Sequence, residues 1–360
     1  MSMEKQNRVR AFLTKKGVTL SPKVYFVDAM SAMALGLFAT LLMGTIFGTV
    51  TSYVPEGNVF YDWLSLITSY AKAATGVVLG ISIAYALKAP PLVMFSAGVV
   101  GLMSNELPVF IESAGKNVTA GPAGVFFVAV IAVEVGKLVS KTTKVDIIVT
   151  PAVTLGVGTL LSMLLCTPLA YVIYWIGRFV EISTAAVPFI MGIVIAVVVG
   201  IVLTLPISSA ALCAMIGISG IAGGAAVVGC SAQMVGFAVI SFRENRWGGV
   251  VAQGIGTSML QMGNIVRNPI IWIPPTLAAA VCGPISTCLF KLECTGVSAG
   301  MGTCGFVGPL GIFADMGFGA RSIFGVLLLC IVLPGVLSLL FSEILRKFGL
   351  IKRGDMALEL

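Results

Sequence analysis

Apolar stretches long enough to cross a lipid bilayer follow one another along most of the chain, and charged residues rarely interrupt them. The first runs from Asp28 to Val50. Only 10% of the residues are charged, whereas a soluble domain has roughly 25%. In water such a chain would expose large apolar patches. A crossing helix needs about 20 residues, so the sequence predicts an all-α polytopic membrane protein with roughly ten transmembrane helices.

Positive charge is concentrated at the two ends of the chain, which has a net charge of +7. Six cations lie in the first 23 residues: Lys5, Arg8, Arg10, Lys15, Lys16 and Lys23. Four more come near the end: Arg346, Lys347, Lys352 and Arg353. Because Lys and Arg beside membrane segments stay in the cytoplasm, we expect both termini there and an even number of full crossings. We interpret these charges as topology signals rather than nucleic-acid contacts.

The order of apolar and polar stretches divides the chain into four predicted parts. They are a basic cytoplasmic N-terminal segment (1–27), an N-terminal membrane half (28–205), a C-terminal membrane half (206–345) and a cytoplasmic tail (346–360). In the C-terminal half, both ends of the Gly-rich segment 206–242 are expected inside, so it must turn back, either as two crossings or as a re-entrant hairpin. The Gly-rich segment 291–319 is too broken for one helix, and we predict re-entrant hairpins at 206–242 and 284–319, buried in protein or lining a wet cavity. In the N-terminal half, Glu112–Gly121 is predicted to be a polar loop, and Glu134 and Lys137 a structural pair one helical turn apart.

The two predicted hairpins repeat a short pattern. Pro206–Ser209 matches Pro284–Thr287, and Gly217–Gly220 then corresponds to Gly296–Ala299. Membrane transporters commonly build solute sites from such paired, Gly- or Pro-interrupted segments. Ser208 and Ser209 are therefore candidate solute-binding residues, although a chance match in low-complexity sequence is the alternative.

Three amide side chains lie close together in the sequence between the two predicted hairpins. Gln261, Asn264 and Asn268 have the i, i+3, i+7 spacing of one helix face. Amides both donate and accept hydrogen bonds, which suits a solute rich in hydroxyl groups. Arg267 is a candidate contact for an anionic group or a buried acid; alternatively, it lies at the interface and extends its charge to water.

A glycine-rich motif, Gly300–Gly308, lies in the second predicted hairpin. Its four glycines in nine residues allow the backbone to approach a ligand closely, so Gly302 and Thr303 are candidate solute contacts. Glu293 precedes the motif, and an intramembrane carboxylate is a functional candidate by default. The alternative is a loop acid beside Lys291.

Enzyme and metal motifs are missing from the sequence. There is no histidine, and the eight cysteines form no CxxC pair, so we expect no metal site, cofactor or disulfide framework. The sequence has no Walker loop, GxSxG or HExxH motif. We therefore expect no catalysis by this chain alone.

Three stretches, Lys144–Pro151, Asn268–Pro275 and Gly300–Gly308, resemble the membrane (IIC) subunits of the bacterial phosphotransferase system. Within that family they are most similar to the stand-alone branch that includes the perfringolysin-regulator proteins. The resemblance implies a homodimer in the bacterial inner membrane that moves a sugar by an elevator-like motion between re-entrant hairpins. It also implies a separate IIB protein, which supplies a phosphoryl group from a cysteine.

The chain departs from the family pattern in two respects. Many sugar IIC proteins have a histidine near the sugar, and this chain has none. No clear Gly-Ile-Thr-Glu motif is present, and Glu293 is only a positional analogue of its acid. Three functions stay open: a sugar transporter, a non-phosphorylating transporter of another small metabolite, and a membrane sensor or regulator with the same fold.

Overall fold

The computed structural model describes residues 13–14, 16–18, 21–52, 54–112, 115–184 and 186–358, so most of the predicted N-terminal segment (1–27) lies outside the described residues. Among the described residues, six helices are long and apolar enough to cross a membrane. They are Val24–Gly48, Gly121–Val139, Asp146–Ser183, Gly220–Ile240, Pro269–Phe290 and Ala320–Lys347. The fold is therefore an all-α polytopic membrane protein, as predicted.

Fewer helices than the predicted ten have the length of a full crossing. A seventh candidate arises only if Val59–Ala73 and Thr75–Ala86, which meet at a bend of 51°, count as one span. The apolar helices Pro188–Thr204 and Cys304–Met316 are shorter. Breaks explain the difference, because apolar composition continues through Gly and Pro positions at which the helix stops.

The chain forms two compact units. The first contains the N-terminal residues through Thr40 and Ala73–Val172; the second contains Leu41–Lys72 and Ile173–Leu360. These units differ from the predicted halves 28–205 and 206–345. In the second unit, residues 41–72 pack with the C-terminal part of the chain, and a Cβ built on Gly305 would lie 2.8 Å from the Ile46 side chain.

In the first unit, glycine brings two helices into backbone contact. Helices Thr75–Ala86 and Pro91–Glu106 cross so closely that a Cβ on Gly80 would lie 2.0 Å from the oxygen of Ala97. Close crossings of this kind are typical of small residues in membrane helices. The next connection contains two short antiparallel strands, Pro108–Ile111 and Lys116–Thr119, the second of which lies within the predicted polar loop Glu112–Gly121.

The second unit is built on four helices: Pro188–Thr204, Gly220–Ile240, Ile273–Pro284 and Leu333–Lys347. Glycine again sets the distance between them, since a Cβ on Gly229 would lie 2.0 Å from the oxygen of Ala196, and one on Gly283 2.2 Å from the oxygen of Gly192. Buried apolar side chains surround these crossings. Around this core run shorter, interrupted segments: Met43–Thr51, Ser209–Ile216, Phe242–Val251, Met262–Arg267 and Val307–Met316.

Candidate functional site

Two helix breaks of the second unit lie side by side. The first separates helices Ser209–Ile216 and Gly220–Ile240, and the second is residues 291–295, a stretch without helix that is extended at Thr295. Two backbone hydrogen bonds join them, from Cys294 N to Gly220 O (3.1 Å) and from Gly296 N to Ile218 O (2.9 Å). The corresponding parts of the repeated sequence pattern, Gly217–Gly220 and Gly296–Ala299, therefore meet in space.

Glycine makes this approach possible. A Cβ on Gly223 would lie 1.8 Å from the oxygen of Cys294, and one on Gly224 would lie 1.9 Å from the oxygen of Leu292. Real Cβ atoms do not come so close to a backbone oxygen, so a larger residue would separate the two segments. This stretch is thus held against a buried helix, where irregular backbone is tolerated at membrane depth.

A cavity of about 470 Å³ lies beside the second break, entirely within the second unit. One wall comes from residues 45–72 and the other from residues 297–314. Six hydroxyl side chains line it: Thr45, Thr51, Ser52, Ser65, Thr68 and Ser298. Lys72 adds a cation, and Val297, Val307 and Leu310 add apolar surface. The volume lies within the range of small-molecule sites, about 300–1,000 Å³.

Thr68 is the hydroxyl in the cavity with the clearest capacity to bind a ligand. Its Oγ1 is buried and has no hydrogen-bond partner, whereas the Oγ1 of Thr51 donates to the oxygen of Phe47 at 2.8 Å. A buried unpaired hydroxyl is unfavourable and calls for an explanation. Rotation of the Thr68 side chain toward the cavity would let this hydroxyl donate to a ligand oxygen there.

A signal for this cavity is present in the sequence, although none of its residues was among the predicted contacts. Thr45, Gly48 and Ser52 have i, i+3, i+7 spacing, and so do Ser65, Thr68 and Lys72. Each set marks one helix face, and the cavity lies between the two faces. Isolated Ser and Thr are common in membrane helices, however, and only the tertiary fold brings these faces to residues 297–314.

The predicted contacts of the glycine-rich motif are packing residues in this structure. Gly302 has a positive φ of 52°, and a Cβ there would lie 2.7 Å from the backbone of Cys230. Thr303 is buried and its hydroxyl contacts the sulfur of Met234 at 3.6 Å. Ser209 donates its hydroxyl to the oxygen of Gly300 at 2.7 Å. None of the three candidates lines the cavity.

Three further candidates lie outside the cavity as well. Ser208 is half-buried at the start of a short helix, where its oxygen accepts from Leu212 N at 2.9 Å. Arg267 and Glu293 are exposed. The sequence thus indicated that these residues lie near helix breaks, but it did not indicate which residues line the cavity beside those breaks.

The predicted amide residues bind the C-terminal segment of the chain. Gln261 Nε2 donates to the oxygen of Met356 at 3.0 Å, and Asn264 Nδ2 donates to the oxygen of Ala357 at 2.9 Å. Asn268 Nδ2 donates to Asp355 Oδ2 at 2.8 Å. The donors that we expected to bind a solute are thus engaged within the protein.

The helix face predicted for Gln261, Asn264 and Asn268 is only partly present. Gln261 and Asn264 are joined, because Asn264 Nδ2 donates to Gln261 Oε1 at 2.8 Å. Asn268 follows the end of helix Met262–Arg267, with extended φ and ψ of −139° and 93°. The cause is Pro269, which disfavours helical conformation in the residue before it.

Metal-binding clusters are not present in the part of the chain that the structure describes: no three or more His, Cys, Asp or Glu side chains come together. All eight cysteines are free thiols, and only Cys288 is exposed.

These features define a multi-pass helical membrane protein whose broken helices border a cavity lined by hydroxyl and apolar side chains. The family model for the phosphotransferase system EIIC protein matches residues 27–358, nearly the whole chain. The chain belongs to this family, and the resemblance identified from the sequence is confirmed. Membership makes it a IIC-like membrane transporter of the phosphotransferase system in general terms. Searches of curated proteins and of solved structures find no match.

Proposed function

We propose that this protein carries a sugar across the bacterial inner membrane and binds it in the hydroxyl-lined cavity of the second unit. One observation carries the proposal: in a chain of this family, six hydroxyl side chains line a cavity beside two paired helix breaks. Hydroxyl groups donate and accept hydrogen bonds, as the hydroxyls of a sugar require. Paired helix breaks are also where transporters commonly place their solute sites.

The family supplies the rest of the proposal. It supports a homodimer surrounded by lipid, with both termini in the cytoplasm and an elevator-like motion that carries the cavity across the membrane. A separate IIB protein would phosphorylate the sugar as it is released, while this chain binds and moves it. These points rest on the resemblance.

The test is thermal stabilisation of the purified protein by sugars, sugar phosphates and other small metabolites, since a ligand that binds the folded state raises its stability. Thr68→Val keeps the side-chain shape and removes the unpaired hydroxyl. We expect this variant to be as stable as the wild type but to bind the sugar about three- to ten-fold more weakly, the effect of one lost hydrogen bond. Ser298→Ala should weaken binding to a similar extent.

Ser69→Ala is the matched control. Ser69 lies beside Thr68 on the same helix, but it is exposed, donates to the oxygen of Leu66 at 3.0 Å and does not line the cavity. Sugar affinity equal in all variants would refute the cavity as the site. Loss of affinity in Asn264→Ala but not in Thr68→Val would move the site to the amide residues. Binding of other metabolites alone would exclude a sugar, and a panel with no ligand would favour the regulator.

A further inference from the structure

The end of the chain is bound as a peptide. Asn245 pairs with it through both atoms of its carboxamide: Nδ2 donates to the oxygen of Met356 at 2.8 Å, and Oδ1 accepts from Leu358 N at 2.8 Å. One β-strand offers the same pair of bonds to another. The side chain of Met356 is fully buried and Ile351 is 3% exposed, so two apolar anchors accompany the polar contacts.

Three other amides complete what we call the amide groove: Asn245, Gln261, Asn264 and Asn268. Gln261 and Asn264 donate to the oxygens of Met356 and Ala357, and Asn268 donates to the oxygen of Leu350 at 3.1 Å as well as to Asp355. Most of these acceptors are main-chain oxygens. The groove therefore binds peptide backbone.

Residues 350–358, which we call the C-terminal strap, are joined to the last helix by a sharp turn. Gly349, two residues after helix Leu333–Lys347, has φ of +71°, and Leu350 N donates back to the oxygen of Leu345 at 3.0 Å. Gly354 has φ of +97° and turns the strap again. Glycine adopts such values without strain, so the strap can fold back from the helix.

The backbone beside the groove is strained. Arg246 follows Asn245 directly and has φ of 52° and ψ of −152°, a break inside Phe242–Val251. A non-glycine residue held in such a conformation is typical of switch regions. Glu244 lies beside both the last helix and the strap: Oε1 accepts from Arg346 at 3.1 Å and from Gly354 N at 3.4 Å, whereas Oε2 is buried without a hydrogen-bond partner. The strained backbone of Arg246 therefore lies next to the residues that hold the strap.

A chain of contacts leads from the amide groove toward the cavity. Gln261 Nε2 donates to Gln253 Oε1 at 2.9 Å, and Gln253 lies in the π-helical turn Ala252–Gly256. That turn packs on residues Cys304–Phe306, and the following residue, Val307, lines the cavity. The position of the strap is thus connected to a wall of the cavity.

We propose that the amide groove is a peptide-binding site, that its ligand is the chain's own C-terminal strap, docked reversibly, and that the docked strap slows solute exchange at the cavity. The contacts show the docked strap, and its reversibility is inferred from the glycine turns at Gly349 and Gly354 and the strained backbone of Arg246. The effect on solute exchange rests on the proposed function.

Two full-length variants release the strap from opposite sides. Met356→Asp puts a carboxylate into a fully buried position and leaves the groove unchanged, whereas Asn245→Ala combined with Asn268→Ala weakens the groove and leaves the strap unchanged.

Hydrogen–deuterium exchange, measured by mass spectrometry, reports docking of the strap without any solute. We expect residues 350–358 to exchange about ten-fold faster or more in both variants, as expected for lost buried hydrogen bonds. Helix Gly220–Ile240 should keep its protection, which shows that the variants are folded.

Asn117→Ala is the matched control, because Asn117 is an exposed amide in the short hairpin of the first unit. Sugar counterflow into proteoliposomes, the second measurement, should be several-fold faster in both release variants and unchanged in the control. A synthetic peptide of residues 350–358, added at about the millimolar concentration that a tether provides, should slow Met356→Asp again.

The two measurements separate the possible failures. Exchange of residues 350–358 as slow as that of helix Gly220–Ile240 in the wild type would overturn reversible docking. A released strap with unchanged or slower counterflow would overturn its control of solute exchange. Wild-type protein that transports no sugar would refute the proposed function, while exchange still decides whether the strap docks reversibly.

Discussion

At the scale of the residue, Lys137 shows that a buried charge in this fold is stabilised by a hydrogen bond and an ion pair. It is 3% exposed, its Nζ donates to the oxygen of Leu87 at 2.9 Å, and Glu134 pairs with it at 3.1 Å. The structural pair predicted from the helical spacing is present. Its burial could not be predicted, because the spacing gives no information on the helix that supplies Leu87. A buried charge left without its partner is costly, so the two side chains depend on one another.

Lys137→Met should therefore destabilise the protein by about 3–5 kcal/mol, because it leaves the Glu134 carboxylate, whose side chain is 13% exposed, without its cation. The measurement is the free energy of unfolding in detergent. Arg178→Gln breaks a pair with Glu181 whose side chains are 43% and 46% exposed, and it should cost no more than about 1 kcal/mol. Equal losses in the two variants would show that the Lys137 pair is not held in a dry interior.

At the scale of the element, the helix breaks depend on glycine. Helix Gly220–Ile240 lies against residues 291–295 at Gly223 and Gly224, where backbone touches backbone. The repeated sequence pattern indicated that two interruptions correspond to each other. It did not show that they pair through Cys294 and Gly296, because that pairing depends on contacts between segments about 75 residues apart.

Gly223→Ala should lower the free energy of unfolding by about 1–3 kcal/mol, because its Cβ would overlap the oxygen of Cys294. Gly156→Ala is the control: Gly156 is also helical, but nothing lies within 4 Å of a Cβ built there, so alanine should be neutral or slightly stabilising. The seven buried thiols allow unfolding to be followed with a thiol-reactive dye on heating. A wild-type melting temperature in Gly223→Ala would show that the two segments are not in close contact.

The amide residues show why a local pattern was insufficient for the site. Their spacing correctly brought Gln261 and Asn264 together, but Pro269 ends the helix before Asn268 can share the same face. Their donors are satisfied by residues 355–357, about 90 positions further along the chain. Hydrogen-bonding capacity is a property of a side chain, whereas its partner is decided by the tertiary fold.

At the scale of the whole molecule, composition determined the class of protein and three short stretches indicated the family, and both predictions hold. The division into compact units could not be predicted. No sequence pattern in residues 41–72 indicates that they pack with the C-terminal part of the chain. They nevertheless form one wall of a cavity whose other wall is residues 297–314. The cavity was missed for the same reason.

The central claim is that this cavity carries a sugar across a membrane, and solute counterflow into proteoliposomes that contain only this protein tests it most directly. We predict saturable uptake of the sugar that stabilises the purified protein, recovered unphosphorylated because no IIB protein is present. Thr68→Val and Ser298→Ala should raise the half-saturating sugar concentration about three- to ten-fold each, and Ser69→Ala should leave it unchanged. The absence of saturable uptake, or uptake that is the same in all of these variants, would contradict the account.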